Sequence, residues 1–443
     1  MKIKQLKRTT RALGATALLG ALLVIDVSPV SAAFPGRNGR IFCNSNRDGN
    51  NEIYSFAPDG SDARRLTFES TNDIEPTVSP DGTKVAFTST RDGDQEIYIM
   101  NQDGSGVKRL TFSPGEDRPG TFSPDGTRIS FHSGRFPAPA GPGHSSLEIM
   151  TMNIDGTDVR RLTNNNFQDS FAHWSPQGDR IAFNSNRTGD VEIWTLVPVD
   201  ANADGNADVQ TRVTNSPGED AHASWSPDGS QLTFHSRRDF VANPGGTRLE
   251  IYRASSVDGS NAVRLTGIDN EFDVFPVWSP DGQKIAWPRL FPSDIHIMNA
   301  SDGSGRVNIT NTAADETRCD WARLLPCTIT GSGTIVGTRG DDVICGSSGD
   351  DQIFAGSGND VIYAGDGNDQ IDGGVGNDIV FGERGNDTIS GGTDNDILFG
   401  DQGFDRISAG SGNDTASGGE DTDGVTGDDG TDECYAEALS SCP

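Results

Sequence analysis

Basic residues and long apolar runs are both scarce in this chain of 443 residues. It has 35 Lys and Arg against 65 Asp and Glu, and its formal net charge is −30. Proteins that bind nucleic acid need clustered Lys and Arg to contact phosphates, so we expect no nucleic-acid partner. After residue 25 no apolar run is long enough to cross a bilayer. We therefore expect no membrane span once the N-terminus is removed.

The longest apolar run lies at the N-terminus. Residues 12–25 are apolar, five basic residues precede them, and a Val-Ser-Ala-Ala sequence follows at 30–33. This order predicts a secretory signal peptide over residues 1–33, cleaved after residue 32 or 33. An uncleaved anchor is the alternative, but the run is short for a span and Asp26 interrupts it. We expect a secreted protein, with the periplasm and the cell surface as the other destinations.

The C-terminal part is a strictly periodic array. Eleven consecutive nonapeptides occupy residues 337–435, and an Asp stands at the sixth place of each. The cleanest copies, 373–381 and 382–390, match G-G-x-G-x-D-x-U-x. Glycine at the start of each unit suits a tight turn, and the aliphatic eighth place predicts a short strand with one inward side chain. Two units would make one turn of a flattened coil.

Repeated carboxylates in such a coil require a counter-ion. Two unit charges about 4.8 Å apart repel by roughly 3 kcal/mol at an effective dielectric of about 20. Calcium suits carboxylate and carbonyl oxygens, and these turns contain no thiolate or imidazole. The alternative is a disordered glycine-rich tail, but disorder gives no reason for constant phase over eleven repeats. The predicted Ca²⁺ ligands are Asp342, Asp351, Asp360, Asp369, Asp378, Asp387, Asp396, Asp405, Asp414 and Asp423, with turn glycines Gly340, Gly349, Gly358, Gly367, Gly376 and Gly385.

This segment resembles the RTX calcium-binding β-roll family. The resemblance implies a parallel β-roll over residues 326–436, followed by a tail at 437–443, with Ca²⁺ as the bound ion. The charge distribution is consistent with that role. Residues 337–435 contain 20 Asp and 3 Glu against 3 Arg, so they carry a net charge of −20. Divalent cations are the natural counter-ions of such a segment.

The six cysteines of an exported chain predict three disulfides. Cys327 and Cys345 are separated by the length of two nonapeptides, one turn of the proposed coil, and would lie side by side. Cys434 and Cys442 would close its last turn, which leaves Cys43 and Cys319 for the preceding domain. Fifteen pairings exist in principle for six cysteines. Spacing favours this one without excluding the others.

A longer repeat precedes the coil. Ser-Pro-Asp-Gly or its close variant recurs at 79–82, 123–126, 175–178, 226–229 and 279–282, and a degenerate copy lies at 34–39. Each copy continues as a strand, a turn, a second strand, an Asp-Gly turn and Arg-Leu-Thr or a relative of it. Spacings of this length predict four-stranded propeller blades rather than helical pairs. Residues 316–321 would supply the missing strand of blade one and close the ring.

These motifs resemble the TolB-like six-bladed β-propeller, whose blades share the W-S-P-D-G and R-L-T patterns. The resemblance covers residues 34–325, so the predicted fold class is all-β, a six-bladed propeller followed by a parallel β-roll. The architecture hosts many activities and does not specify one. Our own expectation is that the propeller presents a surface that binds a protein or a cell-surface ligand.

Two sets of polar residues in the propeller are further candidate sites. One carboxylate per blade lies at the same register near the channel mouth, and such a ring would hold a cation or a basic peptide, or else accept backbone N–H bonds from the next blade. The six are Asp73, Asp117, Asp169, Asp220, Asp273 and Glu316. The second set places oxygen ligands at EF-hand spacing with a glycine at position six, but Thr rather than Glu at position twelve. It comprises Asp200, Asn202, Asp204 and Asp208, and an ordinary polar loop is the alternative.

No catalytic constellation is evident. The chain lacks the G-x-S-x-G nucleophile elbow, and no hydrolase domain follows the propeller. His132 and His235 stand at equivalent places after a blade strand, where structural roles are the expectation. We therefore expect a secreted calcium-binding protein whose propeller is non-catalytic. The alternative is an extracellular carbohydrate-active or peptide-cleaving enzyme with its site in the propeller mouth.

Overall fold

The computed structural model describes residues 37–61, 63–136, 147–200, 204–239, 248–267, 271–291, 293–436 and 438–441. The predicted signal peptide at 1–33, Asn202 and Cys442 lie outside the described residues. The elements within these ranges are β-strands, apart from residues 238 and 239, which are helical. No helix among them is long and apolar enough to span a membrane.

The propeller is built from twenty-five strands. The first three are β1 (Arg37–Ser45), β2 (Glu52–Phe56) and β3 (Arg64–Arg65). Blade two contains β4 (Asp73–Val78), β5 (Lys84–Ser89), β6 (Glu96–Asn101) and β7 (Lys108–Arg109). Blade three contains β8 (Asp117–Phe122), β9 (Arg128–Ser133), β10 (Glu148–Asn153) and β11 (Arg160–Arg161). Blade four contains β12 (Asp169–Trp174), β13 (Ile181–Thr188), β14 (Asp190–Leu196) and β15 (Gln210–Arg212).

The remaining propeller strands belong to blades five and six and to the closure. Blade five contains β16 (Asp220–Trp225), β17 (Gln231–Ser236), β18 (Glu250–Ser255) and β19 (Val263–Arg264). Blade six contains β20 (Phe272–Asp273), β21 (Val277–Trp278), β22 (Lys284–Leu290), β23 (Asp294–Asn299) and β24 (Val307–Asn308). The closing strand is β25 (Glu316–Leu324).

The C-terminal coil follows with fifteen short strands. They are β26 (Ile329–Thr330), β27 (Thr334–Val336), β28 (Val343–Cys345), β29 (Gln352–Ser357), β30 (Val361–Tyr363), β31 (Gln370–Val375), β32 (Ile379–Phe381) and β33 (Thr388–Thr393). The others are β34 (Ile397–Gln402), β35 (Arg406–Gly412), β36 (Thr415–Glu420), β37 (Gly424–Thr426), β38 (Asp429–Gly430), β39 (Glu433–Tyr435) and β40 (Ala438–Ser441). Strand β40 pairs with β37, within the stretch that the sequence predicts as a tail.

The ring of blades closes by the predicted exchange. Blade one has the strand order β25-β1-β2-β3, so the last propeller strand pairs antiparallel with the first. A disulfide joins Cys43 to Cys319 across this pair, over a sequence separation of 276. The Trp321 indole N–H donates to the Gly39 carbonyl at 3.1 Å. The six-bladed all-β prediction is confirmed.

The Arg-Leu-Thr pattern has a structural reason in the blades. In blade two, Arg109 Nη2 lies 2.8 Å from Glu96 Oε1, and Thr111 Oγ1 donates to the other oxygen of the same buried carboxylate. Thr111 Oγ1 also accepts the Ile97 N–H at 2.9 Å. The intervening Leu110 is buried in the core. The triplet therefore anchors the fourth strand of the blade to the third.

The coil has two parallel sheets, in which each strand pairs with the strand two nonapeptides further along. Ile353 is opposite Ile371 in one sheet, and Val380 is opposite Leu398 in the other. The side chains at the eighth place form one continuous buried core. A disulfide joins Cys327 to Cys345 across one turn of the coil, as predicted. Cys434 is also disulfide-bonded.

An aromatic stack lies between the coil and the propeller. Tyr363, Phe381 and Phe399 occupy ninth places on successive turns, and their ring centroids are 5.1 and 5.3 Å apart. Leu324 and Leu325 pack against this stack, and the Leu325 N–H donates to the Tyr363 hydroxyl at 3.1 Å. These contacts dock one sheet of the coil on blade one.

Candidate metal centre

The sixth-place aspartates form one buried column along each edge of the coil. Each backbone N–H donates to the Oδ1 of the sixth-place aspartate on the next turn, as from Asp342 to Asp360 at 2.7 Å and from Asp387 to Asp405 at 2.8 Å. The second carboxylate oxygen, Oδ2, is buried and makes no hydrogen bond among the described residues in Asp360, Asp369, Asp378, Asp387, Asp396, Asp405 and Asp414. A buried ionised oxygen without a partner is costly, so the column requires a cation or a proton.

The Oδ2 atoms lie against backbone oxygens of the next turn. A Cβ placed on Gly373 would be 2.6 Å from both Asp378 Oδ2 and the Gly391 carbonyl oxygen. A Cβ on Gly382 would be 2.5 Å from Asp387 Oδ2 and 2.8 Å from the Gly400 carbonyl oxygen. At these two places a side chain would enter the space on which the two oxygens converge, whereas Ala355, Ala364 and Ala409 stand at the first place of other repeats.

The fourth-place glycines make the turn itself. Gly376 has φ of 126° and Gly385 has φ of 142°, a region that favours glycine. A Cβ on Gly385 would lie 1.4 Å from the Gly367 carbonyl oxygen. Gly358 and Gly367 share the positive φ, whereas Gly340 and Gly349, in the first turns, do not. The repeats from residue 355 onwards therefore have the regular turn.

The environment of the column raises carboxyl pKa values. Burial is the main cause and neighbouring aspartates add to it; together they raise the pKa of Asp387 to about 8, with Asp405 and Asp369 the nearest like charges. The same two causes raise the pKa of Asp396 and of Asp405 to about 7. Without a cation these groups retain protons near neutral pH.

A second ladder runs through the turns beside the aspartates. The Oδ1 of Asn359 accepts the N–H of Asn377 at 2.9 Å, and Asn377 Oδ1 accepts the N–H of Asn395 at 2.9 Å. Asn368 and Asn386 are related in the same way. The sequence prediction assigned no role to the fifth place. The signal was present, because Asn recurs there in six repeats.

The donor set fits a hard cation. The candidate ligands are carboxylate Oδ2 atoms and backbone carbonyls, the ligand types that Ca²⁺ takes with flexible geometry. Among the described residues no group of three or more His, Cys, Asp or Glu side chains converges on one point. Backbone carbonyls of the glycine turns would therefore supply most of the coordination around each ion.

The repeats of the coil match a known protein family. Four copies of the RTX calcium-binding nonapeptide repeat match residues 329–362, 346–380, 372–407 and 399–434. The coil is an array of RTX repeats. Calcium binding is implied by these repeats. The Tricorn protease N-terminal β-propeller domain matches residues 44–143, which lie in blades one to three of the propeller.

One curated relative and several solved structures are similar to part of this chain. An uncharacterized protein of Agrobacterium fabrum is 32% identical over 155 residues, which are 33% of this chain and 48% of that protein. The chain thus spans about half the length of this curated relative. The crystal structure of TolB from Acinetobacter baumannii is 22% identical with a TM-score of 0.53, over 65% of this chain and 67% of that one. Hydrazine synthase of Kuenenia stuttgartiensis is 16% identical with a TM-score of 0.50, over 65% of this chain and 47% of that one. Both structures share the propeller fold with this chain.

The six propeller carboxylates are buried, and each is paired with an arginine of its own blade. The pairs are Arg91–Asp73 (2.8 Å), Arg135–Asp117 (2.6 Å), Arg187–Asp169 (2.7 Å), Arg238–Asp220 (2.8 Å), Arg289–Asp273 (3.1 Å) and Arg47–Glu316 (2.8 Å). The arginines supply the positive charge that these carboxylates need. The sequence prediction missed them, although in blades two to five the Arg follows the Asp at a constant spacing.

The EF-hand-like loop of blade four is partly described. Asp200 Oδ2 accepts the Gly205 N–H at 2.8 Å, and Asp204 Oδ1 accepts the Asn206 N–H at 2.8 Å. Asn206 Oδ1 in turn accepts the Asn164 N–H at 2.6 Å, which attaches the loop to blade three. Asp208 lies at the end of this loop, where its N–H donates to the Val199 carbonyl at 3.1 Å. In the described part, oxygens of Asp200, Asp204 and Asn206 thus serve backbone N–H groups.

The raised pKa values predict an inverted pH dependence for the calcium-free RTX coil. The folded pKa values of Asp387, Asp396 and Asp405, about 7 to 8, lie above the unfolded value of 3.8. The folded state then binds more protons, so the coil is most stable below the unfolded pKa and loses stability as pH rises through 6 to 8. Thermal unfolding at pH 5.5 and pH 8, after a chelating resin has removed the calcium, measures this loss of stability. Saturating calcium should abolish the trend, and calcium-free stability that rises with pH would contradict it.

Proposed function

We propose that this is an exported, non-catalytic calcium-binding protein, in which an RTX coil that folds on Ca²⁺ is joined to a propeller that binds a protein or cell-surface ligand. The observation that carries the proposal is the column of buried Oδ2 atoms that make no hydrogen bond among the described residues. Metal at these oxygens would remove both the desolvation cost and the repulsion between successive turns.

Calcium availability would act as the folding signal. Extracellular calcium-binding modules work at roughly 10⁻⁴ to 10⁻³ M, far above cytosolic free calcium. An ion that binds only the folded coil stabilises it by mass action. The coil would thus stay unfolded before export and fold outside the cell. Disulfides, which persist in oxidising compartments, support that location.

The propeller part of the proposal rests on its architecture. The curved surface of six blades and the channel mouth present loops on a rigid scaffold, as binding proteins commonly do. The ring carboxylates are each bound by an arginine, so the mouth does not present six free negative charges. No observation in the described residues favours the enzymatic alternative.

Asp387→Asn tests the metal column. Asparagine keeps an Oδ1 acceptor for the Asp369 N–H, which now donates at 2.8 Å, but it replaces the Oδ2 ligand with an amide N–H₂. We expect isothermal calcium titration to show fewer bound ions, and the free calcium for half-folding to rise roughly 3- to 10-fold.

The matched control is Asp372→Asn. Asp372 is exposed on the outer face of the coil, and its replacement removes the same charge. The calcium count and half-folding concentration of this variant should stay close to those of the unaltered protein. Equal shifts in the two variants would show that general charge density governs calcium binding and would refute the site.

A further inference from the structure

The propeller channel contains a second group of charged and aromatic side chains, outside the RTX repeats. Two residues after the ring carboxylate, the inner strand of most blades has a β-bulge, as between Ile74 and Thr77 and between Ala221 and Ser224. At this place five non-glycine residues have φ between 49° and 59°, and they are Glu75, Phe171, His222, Phe275 and Arg318. Such conformations are strained and persist only where the surrounding structure holds them.

Four of these five residues donate their backbone N–H to an acceptor on the preceding blade. The Phe171 N–H donates to His132 Nδ1 at 3.3 Å, and the Phe275 N–H donates to His235 Nδ1 at 3.3 Å. The His222 N–H donates to Asn184 Oδ1 at 3.0 Å. Burial lowers the pKa of His132 to about 3, so its ring is neutral and its Nδ1 is free to accept. His132 and His235 are thus positioning residues that direct neighbouring side chains into the channel.

Arg318 lies at the centre of this group. Its guanidinium is 3.9 Å from the ring centroid of Phe275 and 4.8 Å from that of Phe171. Its Nη1 is 3.1 Å from Glu75 Oε1, and the Nη1 of Arg118 is also 3.1 Å from that oxygen. A guanidinium has five N–H donors. Arg118 also donates to Gln95 Oε1 at 2.6 Å, whereas Arg318 meets only the Glu75 carboxylate among the described residues and keeps spare donors. Glu116 meets Arg118 at 3.1 Å on the solvent side.

A cavity of about 110 Å³ adjoins these side chains. Its walls include Glu75, Phe171, His173, His222, Phe275 and Arg318. The ring nitrogens of His173 and His222 make no hydrogen bond to the residues that the structure describes, and burial lowers the pKa of His173 to about 4 and that of His222 in the same direction. The cavity therefore presents the Arg318 guanidinium, neutral imidazoles and aromatic faces, together with the carboxyl groups of Glu75 and Asp320. Asp320 Oδ2 already accepts the Val78 N–H at 2.8 Å and the Thr77 hydroxyl at 3.0 Å.

We propose that this channel site binds a small monocarboxylate with a planar or apolar body. The carboxylate would take the spare N–H donors of Arg318, and the body would pack on the faces of Phe171 and Phe275. Glu75 and Glu116 already meet the charges of Arg318 and Arg118, so the ligand would be held by directed hydrogen bonds and aromatic packing rather than by an excess of positive charge. The site lies in the propeller, so it does not depend on calcium binding by the RTX coil.

The test of this site is benzoate binding to the full-length protein in the presence of calcium. Trp174, Trp225, Trp278 and Trp321 line the same cavity, so tryptophan emission should change saturably with a stoichiometry of one. Acetate should compete weakly, and benzylamine should not bind. Chelation of calcium should leave benzoate affinity unchanged, so failure of this proposal and failure of the calcium proposal are distinguishable.

Arg318→Gln should weaken benzoate binding roughly 10- to 100-fold, because a charge-assisted hydrogen bond is lost. Phe275→Asn is the second variant, since Asn tolerates a positive φ while removing the aromatic wall. The control is Arg160→Gln, an exposed arginine on blade three. Absence of saturable binding by the unaltered protein, unchanged affinity in both channel variants, or equal binding of inorganic phosphate would each overturn the proposal.

Discussion

Removal of calcium is expected to unfold the RTX coil of the full-length protein and to leave the propeller folded. Each site contributes about 2.7 kcal/mol when free calcium is 100 times its dissociation constant. Seven aspartates have buried Oδ2 atoms that make no hydrogen bond among the described residues, so their combined loss reaches on the order of 10 kcal/mol. That is comparable with the whole stability of a typical domain. The thin core, one aliphatic column, cannot compensate.

The measurement is hydrogen exchange with and without EGTA at pH 8. Backbone amides of residues 343–426 should lose protection in EGTA, whereas strands β5, β9, β13 and β17 should keep theirs. Re-addition of calcium should restore the coil, and magnesium should not, because it demands near-octahedral geometry and gives up its water reluctantly. Retained protection of the coil in EGTA would contradict the prediction.

Loss of the Cys43–Cys319 disulfide is expected to be the second large effect. This bond closes the propeller ring over a sequence separation of 276, and by restricting the unfolded chain a cross-link of that length stabilises the fold by about 5.6 kcal/mol. Strands β1 and β25 still pair in its absence, so the ring should form but unfold at lower denaturant. The double variant Cys43→Ser, Cys319→Ser tests this by urea unfolding followed through tryptophan emission.

The control for that experiment removes the other described disulfide. Cys327 and Cys345 have a sequence separation of only 18, and a loop of that length accounts for about 3 kcal/mol. Cys327→Ser with Cys345→Ser should affect the coil and leave the urea midpoint of the propeller nearly unchanged. If the two double variants lower the propeller midpoint equally, the ring-closing role of Cys43–Cys319 is refuted.

The RTX coil was predictable because its information is local and repeated. Residue 380 occupies the same environment as residues 371 and 389, so one nonapeptide specifies turn, strand and core, and the array specifies the stacking. The offset between paired strands followed from two nonapeptides per turn, and it placed Cys327 beside Cys345. The aromatic stack of Tyr363, Phe381 and Phe399 was not predicted, because its role depends on the propeller surface that it meets.

The propeller was predictable as an architecture but not at its channel. Blade motifs and the displaced closing strand indicated six blades and the Cys43–Cys319 pair. The partners of the ring carboxylates were missed, since an arginine beyond the following strand approaches the carboxylate only when the blade hairpin forms. The bulges were also missed. Nothing local marks Phe171 or His222 as a residue with positive φ, because an acceptor on the neighbouring blade holds the conformation.

Sequence alone therefore determined the two repeat architectures, the calcium-binding character of the coil and the disulfide spacing, because each arises from a short pattern that recurs in phase. Only the tertiary structure decided which groups neutralise each other. Glu75 belongs to blade two and Arg318 to the closing strand, so their meeting in the channel depends on ring closure. The aspartate column shows the same division. The spacing of its aspartates can be read from the sequence. Their Oδ2 atoms become buried, and so need a cation, only when successive turns stack.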